Sequence, residues 1–285
     1  MLPAPLKKLG IYDIAPVTAD RLYFRFHLRS GDSQKPSTIA LWTRGDKKPF
    51  PSVKLGHYAH TICVLDDGRL VAIDADRSSI LEGLTPAPFE TPRIEDVTWS
   101  IARMIEGELV LGGSDGALQR RAANGTWTDL SKLIDKQHIG GIAAHPSGGF
   151  VISGSDGLLA RVTSSGATPV RHELGTAAFF DVLCRADGTI AVIAERNVVL
   201  GSRAIAHPES RGSFSSLVEV RGQLFISATN GLYRLHDDGK LEAIACPVAP
   251  PPFSGASLCV AGDALVAFNE DSAQFMHGTE WSPIT

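Results

Sequence analysis

A short phrase recurs about every 40 residues along nearly the whole chain, and that recurrence restricts the architecture more than any other feature. Leu65-Asp66-Asp67-Gly68 runs into Arg69-Leu70-Val71-Ala72-Ile73, and Ile105-Glu106-Gly107 into Glu108-Leu109-Val110-Leu111. Pro146-Ser147-Gly148, Ala186-Asp187-Gly188 and Arg221-Gly222 each precede a similar β-forming stretch. These glycines are 39, 41, 40 and 34 residues apart. A repeat of this length built only from strands cannot bury its own faces, so neighbouring units must stack, which is the logic of a propeller.

Within each repeat the Gly turn serves as a ruler. A polar turn follows the second strand: Gly113-Ser114-Asp115-Gly116, Gly154-Ser155-Asp156-Gly157 and Thr229-Asn230-Gly231. Asp-Gly and Asn-Gly supply the positive-φ residues of tight hairpins. Ser164-Ser165-Gly166 and Asp237-Asp238-Gly239 then lead to a fourth strand. The expected fold is all-β: one domain over 1–285, a seven-bladed β-propeller of four-stranded antiparallel blades. The blades fall near 11–56, 57–94, 95–136, 137–174, 175–210, 211–250 and 251–285. Residues 1–10 are a candidate ring-closing outer strand for the last blade, because Leu6-Lys7-Lys8-Leu9-Gly10 resembles the fourth-strand endings Val53-Lys54-Leu55-Gly56 and His172-Glu173-Leu174-Gly175. Glu280-Trp281-Ser282-Pro283-Ile284 competes for that slot.

The repeat from His138 to Gly148, with Ser153-Gly154-Ser155-Asp156-Gly157 after it, resembles the WD-repeat, YVTN and BNR (Asp-box) propellers, and the likeness extends over nearly the full length. Asn124-Gly125-Thr126-Trp127 and Gly278-Thr279-Glu280-Trp281 look like decayed Asp-boxes that lack the full Ser and Asp of that motif. The resemblance implies the fold and a ligand site at the top of the central channel. It implies no activity.

The formal net charge of -4 and the absence of a basic stripe argue against a nucleic-acid partner. No stretch reaches the length of a membrane-spanning helix, and Met1–Leu9 has no apolar core of signal-peptide length, so neither membrane nor leader is expected. Cys63, Cys184, Cys246 and Cys259 lack metal-ligand spacing and read as inert thiols of a reducing compartment, which points to the cytoplasm.

Counting eight residues back from each turn reaches the start of each innermost strand: Tyr12, His60, Trp99, Gly140, Phe180, Phe214 and Ser254, with Phe253 adjacent. The next positions are Asp13, Thr61, Ser100, Gly141, Asp181, Ser215 and Gly255. A collar of rings above a ring of small polar residues is one reading, a binding mouth with protein hot-spot chemistry. Packing between neighbouring blades is the other. His57 and His138 lie in blade starts that reach the same mouth. The insertion Arg29–Pro36 is a second candidate surface, and Val248–Phe253 reads as a stiff spacer.

Carboxylates gather on the top loops at Asp13, Asp74, Asp76, Asp96, Asp181, Glu195, Glu270 and Asp271. No dense calcium loop is present, so no metal and no cofactor is expected. Arg77 and Arg196 alone do not make a sialidase arginine set. The expected function is a non-catalytic binding protein, monomeric on its own, that offers its top face to a protein partner as a scaffold or inhibitor. A bacterial immunity protein for a cognate toxin is one such case. The alternative is a propeller hydrolase or lactonase using top-face carboxylates, with or without Ca²⁺.

Overall fold

The computed structural model describes residues 9–28, 36–45, 50–74, 78–92, 94, 96–209, 212–248 and 256–284. Seven sheets of four antiparallel strands follow one another around a ring. Blade 1 contains β1 (Leu9–Thr18), β2 (Arg21–Leu28), β3 (Thr38–Thr43) and β4 (Ser52–Lys54). Blade 2 contains β5 (Thr61–Val64), β6 (Leu70–Ile73), β7 (Ser78–Glu82) and β8 (Thr85–Phe89), and blade 3 β9 (Trp99–Ile105), β10 (Glu108–Gly113), β11 (Leu118–Arg121) and β12 (Trp127–Asp129). Blade 4 has β13 (Ile139–Ala144), β14 (Phe150–Gly154), β15 (Leu159–Thr163) and β16 (Gly166–Pro169), and blade 5 β17 (Phe179–Cys184), β18 (Ile190–Ala194), β19 (Asn197–Leu200) and β20 (Arg203–Ala206). Blade 6 has β21 (Phe214–Val220), β22 (Gln223–Ala228), β23 (Gly231–Leu235) and β24 (Leu241–Ile244), and blade 7 β25 (Ser257–Ala261), β26 (Ala264–Phe268), β27 (Ala273–His277) and β28 (Glu280–Pro283). The helical content described is two single 3₁₀ turns, Ser114–Gly116 and Ser131–Leu133.

The buried apolar side chains sort into seven clusters, one at each joint between neighbouring blades. Val151 and Leu159 of blade 4, for example, pack with Phe179 and Val192 of blade 5. This is the physical content of the repeat: a lone twisted sheet exposes two apolar faces, and each face is covered by the next blade. The joint between first and last blades is of the same kind, with Ile11, Phe24 and Trp42 against Phe268 and Phe275. The outer strand of the last blade is β28, which pairs with β27 from Gln274↔Pro283 to His277↔Glu280. The expectation that residues 1–10 fill that slot is corrected in its described part: Leu9 and Gly10 begin β1 and pair with Leu28 and His27 of their own blade. Residues 1–8 lie outside the described residues.

The polar turns after the second strands do more than reverse the chain. Ser114 Oγ accepts the Thr98 N–H at 3.0 Å while the Ser114 N–H donates to the Thr98 carbonyl at 3.1 Å. Blade 4 repeats the clasp with Ser155 and His138, and blade 6 with Thr229 and Ser213. In blades 3 and 4 the Gly of the turn reaches further, Gly116 N–H to Gln137 O at 2.8 Å and Gly157 N–H to Ala177 O at 3.0 Å, onto the crossing into the next blade. The two Asp-box-like tryptophans act similarly from the outer strands. Trp127 Nε1 donates to Glu90 O at 3.3 Å and Trp281 Nε1 to Ala245 O at 2.8 Å, each tying an outer strand to the blade before it.

Candidate functional site

The seven innermost strands enclose a central channel of about 510 Å³, lined by residues such as Asp13, Cys63, Arg103, Asp181 and Cys259. The face that carries the loops between blades and the clasp turns is its top. At that mouth several innermost strands carry the same irregularity. The pairing skips one residue at Tyr12, Ser100, Gly140, Phe180 and Ser215, between partners that otherwise follow in register. A bulge of this kind re-aims one side chain and leaves its neighbours in the sheet. The residue before each bulge is buried: Ile11, Trp99, Ile139, Phe179 and Phe214. Of the bulged residues themselves, Phe180 and Ser215 are exposed, and Tyr12, Ser100 and Gly140 are half-buried.

This sorts the collar. Phe180 sits on a bulge and is 48% exposed. Tyr12 sits on another and is half-buried. His60 is half-buried at the corresponding place in blade 2, where its N–H bonds to Ile73 O at 2.8 Å. Trp99 and Phe214 are corrected as mouth candidates: both fall one residue before the bulge, are about 1–2% exposed, and fill the joints of blade 2 with 3 and blade 5 with 6. His57 is buried beside the crossing into blade 2, and His138 is exposed with its backbone held in the blade 4 clasp. Phe253, Asp76, Arg77 and residues 29–35 of the insertion lie outside the described residues.

The polar positions below the collar bind blades to one another. Ser100 Oγ donates to Ile139 O of the next blade at 2.7 Å. Asp181 Oδ2 accepts the Leu217 N–H of blade 6 at 3.0 Å, and Oδ1 accepts its neighbour Val182 N–H. Burial raises the Asp181 carboxyl above the ordinary aspartate value, opposed by those two N–H groups and by Arg103. Asp13 Oδ2 lies 3.8 Å from Arg25 Nε, across the pair Asp13↔Arg25.

Arg25 opens the most elaborate group on this face, at the seam of blades 1 and 2. Its Nη1 donates to Ala59 O at 2.6 Å and lies 2.8 Å from His27 Nε2. A guanidinium only donates, so His27 Nε2 must accept, and the imidazole proton belongs on Nδ1, 3.3 Å from Ser37 Oγ. Ser37 Oγ also accepts the Ala59 N–H at 2.7 Å. The Tyr58 ring stacks on His27 with centroids 4.1 Å apart, Tyr12 meets it edge-on at 5.1 Å, and His60 meets Tyr58 edge-on at 4.9 Å. Burial, then the Arg25 charge, pushes His27 down to about 4. Burial also lowers His60, against the pull of Asp74, whose Oδ1 is 3.5 Å from His60 Nε2. Ser37 and His27 do not form a nucleophile and base. Both are buried, the imidazole is a weak base, and the group that orients it is a cation rather than a carboxylate.

The spacing ruler missed Arg25, His27, Ser37 and Tyr58. The signal was present in Leu22-Tyr23-Phe24-Arg25-Phe26-His27, where an arginine and a histidine two apart share one face of an otherwise apolar strand. Among the described residues, no three His, Cys, Asp or Glu side chains gather closely enough to hold a metal ion.

No protein-family model matches the chain, and neither does any curated sequence. Solved structures do match its shape. Virginiamycin B lyase from Staphylococcus aureus superposes with a TM-score of 0.75 at 12% identity over 94% of each chain. YCF48 bound to D1 peptide gives 0.72 at 10% identity, over 99% of this chain and 96% of that one. The WD40 propeller domain of Doa1 gives 0.71 at 11% identity, over 93% and 91%. At these identities the likeness establishes the propeller fold, which serves enzymes and binding proteins alike.

Proposed function

We propose that this chain is a non-catalytic binding protein, monomeric on its own, that engages a protein partner with its top face around the channel mouth. The observation that carries the reading is Phe180, a large aromatic ring left 48% exposed on a bulge of a rigid strand. An exposed ring on a fixed backbone offers apolar contact area at little entropic cost, which is the character of an interface anchor. Tyr12, Tyr58 and His60 add half-buried rings across the mouth. The similar propeller YCF48 in its D1-peptide complex is an example of the shape in peptide recognition. A cytoplasmic inhibitor that caps a cognate bacterial toxin is one form of this role. The hydrolase alternative finds less support, since Asp13 and Asp181 are held by Arg25 and by backbone N–H groups instead of converging on a shared point.

The test is site-specific photo-crosslinking in the native host. A photoreactive phenylalanine analogue at position 180 is expected to capture one defined protein. The same analogue at Asp187, in a turn on the opposite face, is the control and is expected to capture none. Equal capture from both positions, or none from position 180, rejects the proposal.

A further inference from the structure

Among the described residues that line the central channel, Asp13, Arg103 and Asp181 carry a formal charge. The two acids are already engaged. Asp13 lies 3.8 Å from Arg25 of its own blade, and the two Asp181 oxygens accept the Val182 and Leu217 N–H groups. Burial also favours the neutral form of Asp181. Arg103 is placed differently. It is exposed, its Nη1 donates to the Ala102 carbonyl at 3.0 Å, and no carboxylate among the described residues comes within ion-pairing distance of it.

The strand register gives its depth. Arg103 follows the bulge at Ser100 by three residues, whereas Asp13 and Asp181 directly follow theirs at Tyr12 and Phe180. At about 3.3 Å per residue it stands roughly 6–7 Å deeper in the channel than the acids. From blade 3 its charge acts on Cys63 of blade 2, Asp181 of blade 5 and Cys259 of blade 7, so its field reaches across the channel. Much of the remaining lining is aliphatic or thiol, as at Ala15, Cys63, Leu183 and Cys259. Walls of this kind screen a charge poorly, so a cation among them attracts an anion more strongly than one on an open surface.

We infer that the channel is a binding site for a small oxyanion, a carboxylate or phosphate group on a free small molecule, held by the Arg103 guanidinium. The planar fork of a guanidinium matches two oxygens of such a group. The volume of about 510 Å³ is in the range of small-molecule sites. An acidic side chain of a protein seated on the collar would have to pass the level of Asp13 and Asp181, so the depth of Arg103 selects a free molecule. The site is separate from Phe180 and does not rest on the reading under Proposed function.

Isothermal titration of the intact protein with inorganic phosphate and with succinate, in chloride buffer at constant ionic strength, tests it. Arg103→Met and Arg103→Gln accompany the wild type; both remove the charge, one with an apolar and one with a polar side chain. The expected result is saturable binding of at least one of the two anions to the wild type, weaker by about tenfold or more in each variant. The bound anion should raise the melting temperature of the wild type and leave that of the variants where chloride leaves it. No saturable binding to the wild type overturns the inference, whatever the variants do. Equal affinity in either folded variant places the anion elsewhere and overturns it too. Loss of the fold in both variants would make Arg103 a structural residue, with the same consequence.

Discussion

Only a neutral imidazole fits the place His27 occupies, because Arg25 Nη1 points at its Nε2 from 2.8 Å. Protonating that nitrogen would set two donors face to face and break the seam of blades 1 and 2. Unfolded, His27 titrates near 6.5; folded, it is held at about 4. Between those values the unfolded chain carries a proton that the folded chain refuses, so acid favours unfolding. The stabilisation is complete above pH 6.5 and is lost as pH falls toward 4, by about 3 kcal/mol in all. Urea midpoints at pH 7, 5.5 and 4 are expected to fall more steeply for the wild type than for His27→Gln, whose amide oxygen can accept from Arg25 at any pH. Parallel curves would contradict the assignment. Glycines give a second test at this scale. Gly157 and Gly188 have φ +74 and +86, but a Cβ on Gly157 would fall 2.2 Å from Gly175 O, whereas one on Gly188 meets nothing within 4 Å. Gly188→Ala therefore pays strain alone, about 1 kcal/mol, and Gly157→Ala adds a clash with the crossing to blade 5 and should lose at least about 2 kcal/mol. Equal losses on chemical denaturation would remove the clasp from the account.

At the scale of the strand, the length of one turn decides whether a fixed count from the glycine lands on the bulge or beside it. In blades 2, 4 and 5 the first hairpin has three loop residues, closed by Leu65 with Arg69, His145 with Gly149 and Arg185 with Thr189. In blades 3 and 6 it has two, Glu106-Gly107 and Arg221-Gly222, all four at positive φ, which is the type I′ pattern. The glycine is thus one residue nearer the strand in these two blades, and a fixed count from it lands one residue short of the bulge. That is why the ruler found Phe180 on its bulge but named Trp99 and Phe214, which lie beside theirs in the core; blade 1 also has a two-residue loop, Ala19-Asp20, but a second skip at Val17 brings the count back to the bulge at Tyr12. Repeat length, strand number and blade count were legible because they depend on turn residues and alternation. The bulge was not, since it is a property of pairing between strands and leaves no residue type behind. Trp99→Ala is accordingly expected to cost about 3–5 kcal/mol, as a buried aromatic truncation. Phe180→Ala should change stability by no more than about 0.5 kcal/mol. Thermal melts of the two variants distinguish core from mouth, and a strongly destabilised Phe180→Ala would return that ring to packing.

In the whole ring, each blade is contiguous in sequence among the described residues, and none of the described strands from one end of the chain completes a blade at the other. Six joints carry both an apolar cluster and a covalent crossing, and the joint of blades 7 and 1 has the cluster of Ile11, Phe24, Phe268 and Phe275 without a crossing. One polar link across it is Ile11 N–H to Glu270 O at 3.1 Å. This joint is where the ring should open first, because its separation costs only the local contacts and strains no chain connection. The backbone comes close enough there to supply what is missing. A Cβ built on Gly10 lies 3.2 Å from Glu270 Cβ, slightly inside the usual disulfide separation, so a small outward relaxation admits an S–S bond. Gly10→Cys with Glu270→Cys would close a loop of nearly the entire chain, for which the chain-entropy estimate is roughly 5 kcal/mol as an upper figure. Two of the four native thiols should interfere little, as burial pushes Cys63 up to about 11 and Cys259 further, which makes both poor nucleophiles at neutral pH. The oxidised double variant, its bond confirmed by peptide mass mapping, is expected to unfold more slowly and melt higher than the same variant reduced. If oxidised and reduced forms unfold at the same rate, the seam is not where opening begins, and the ring yields first at a joint that already has a crossing.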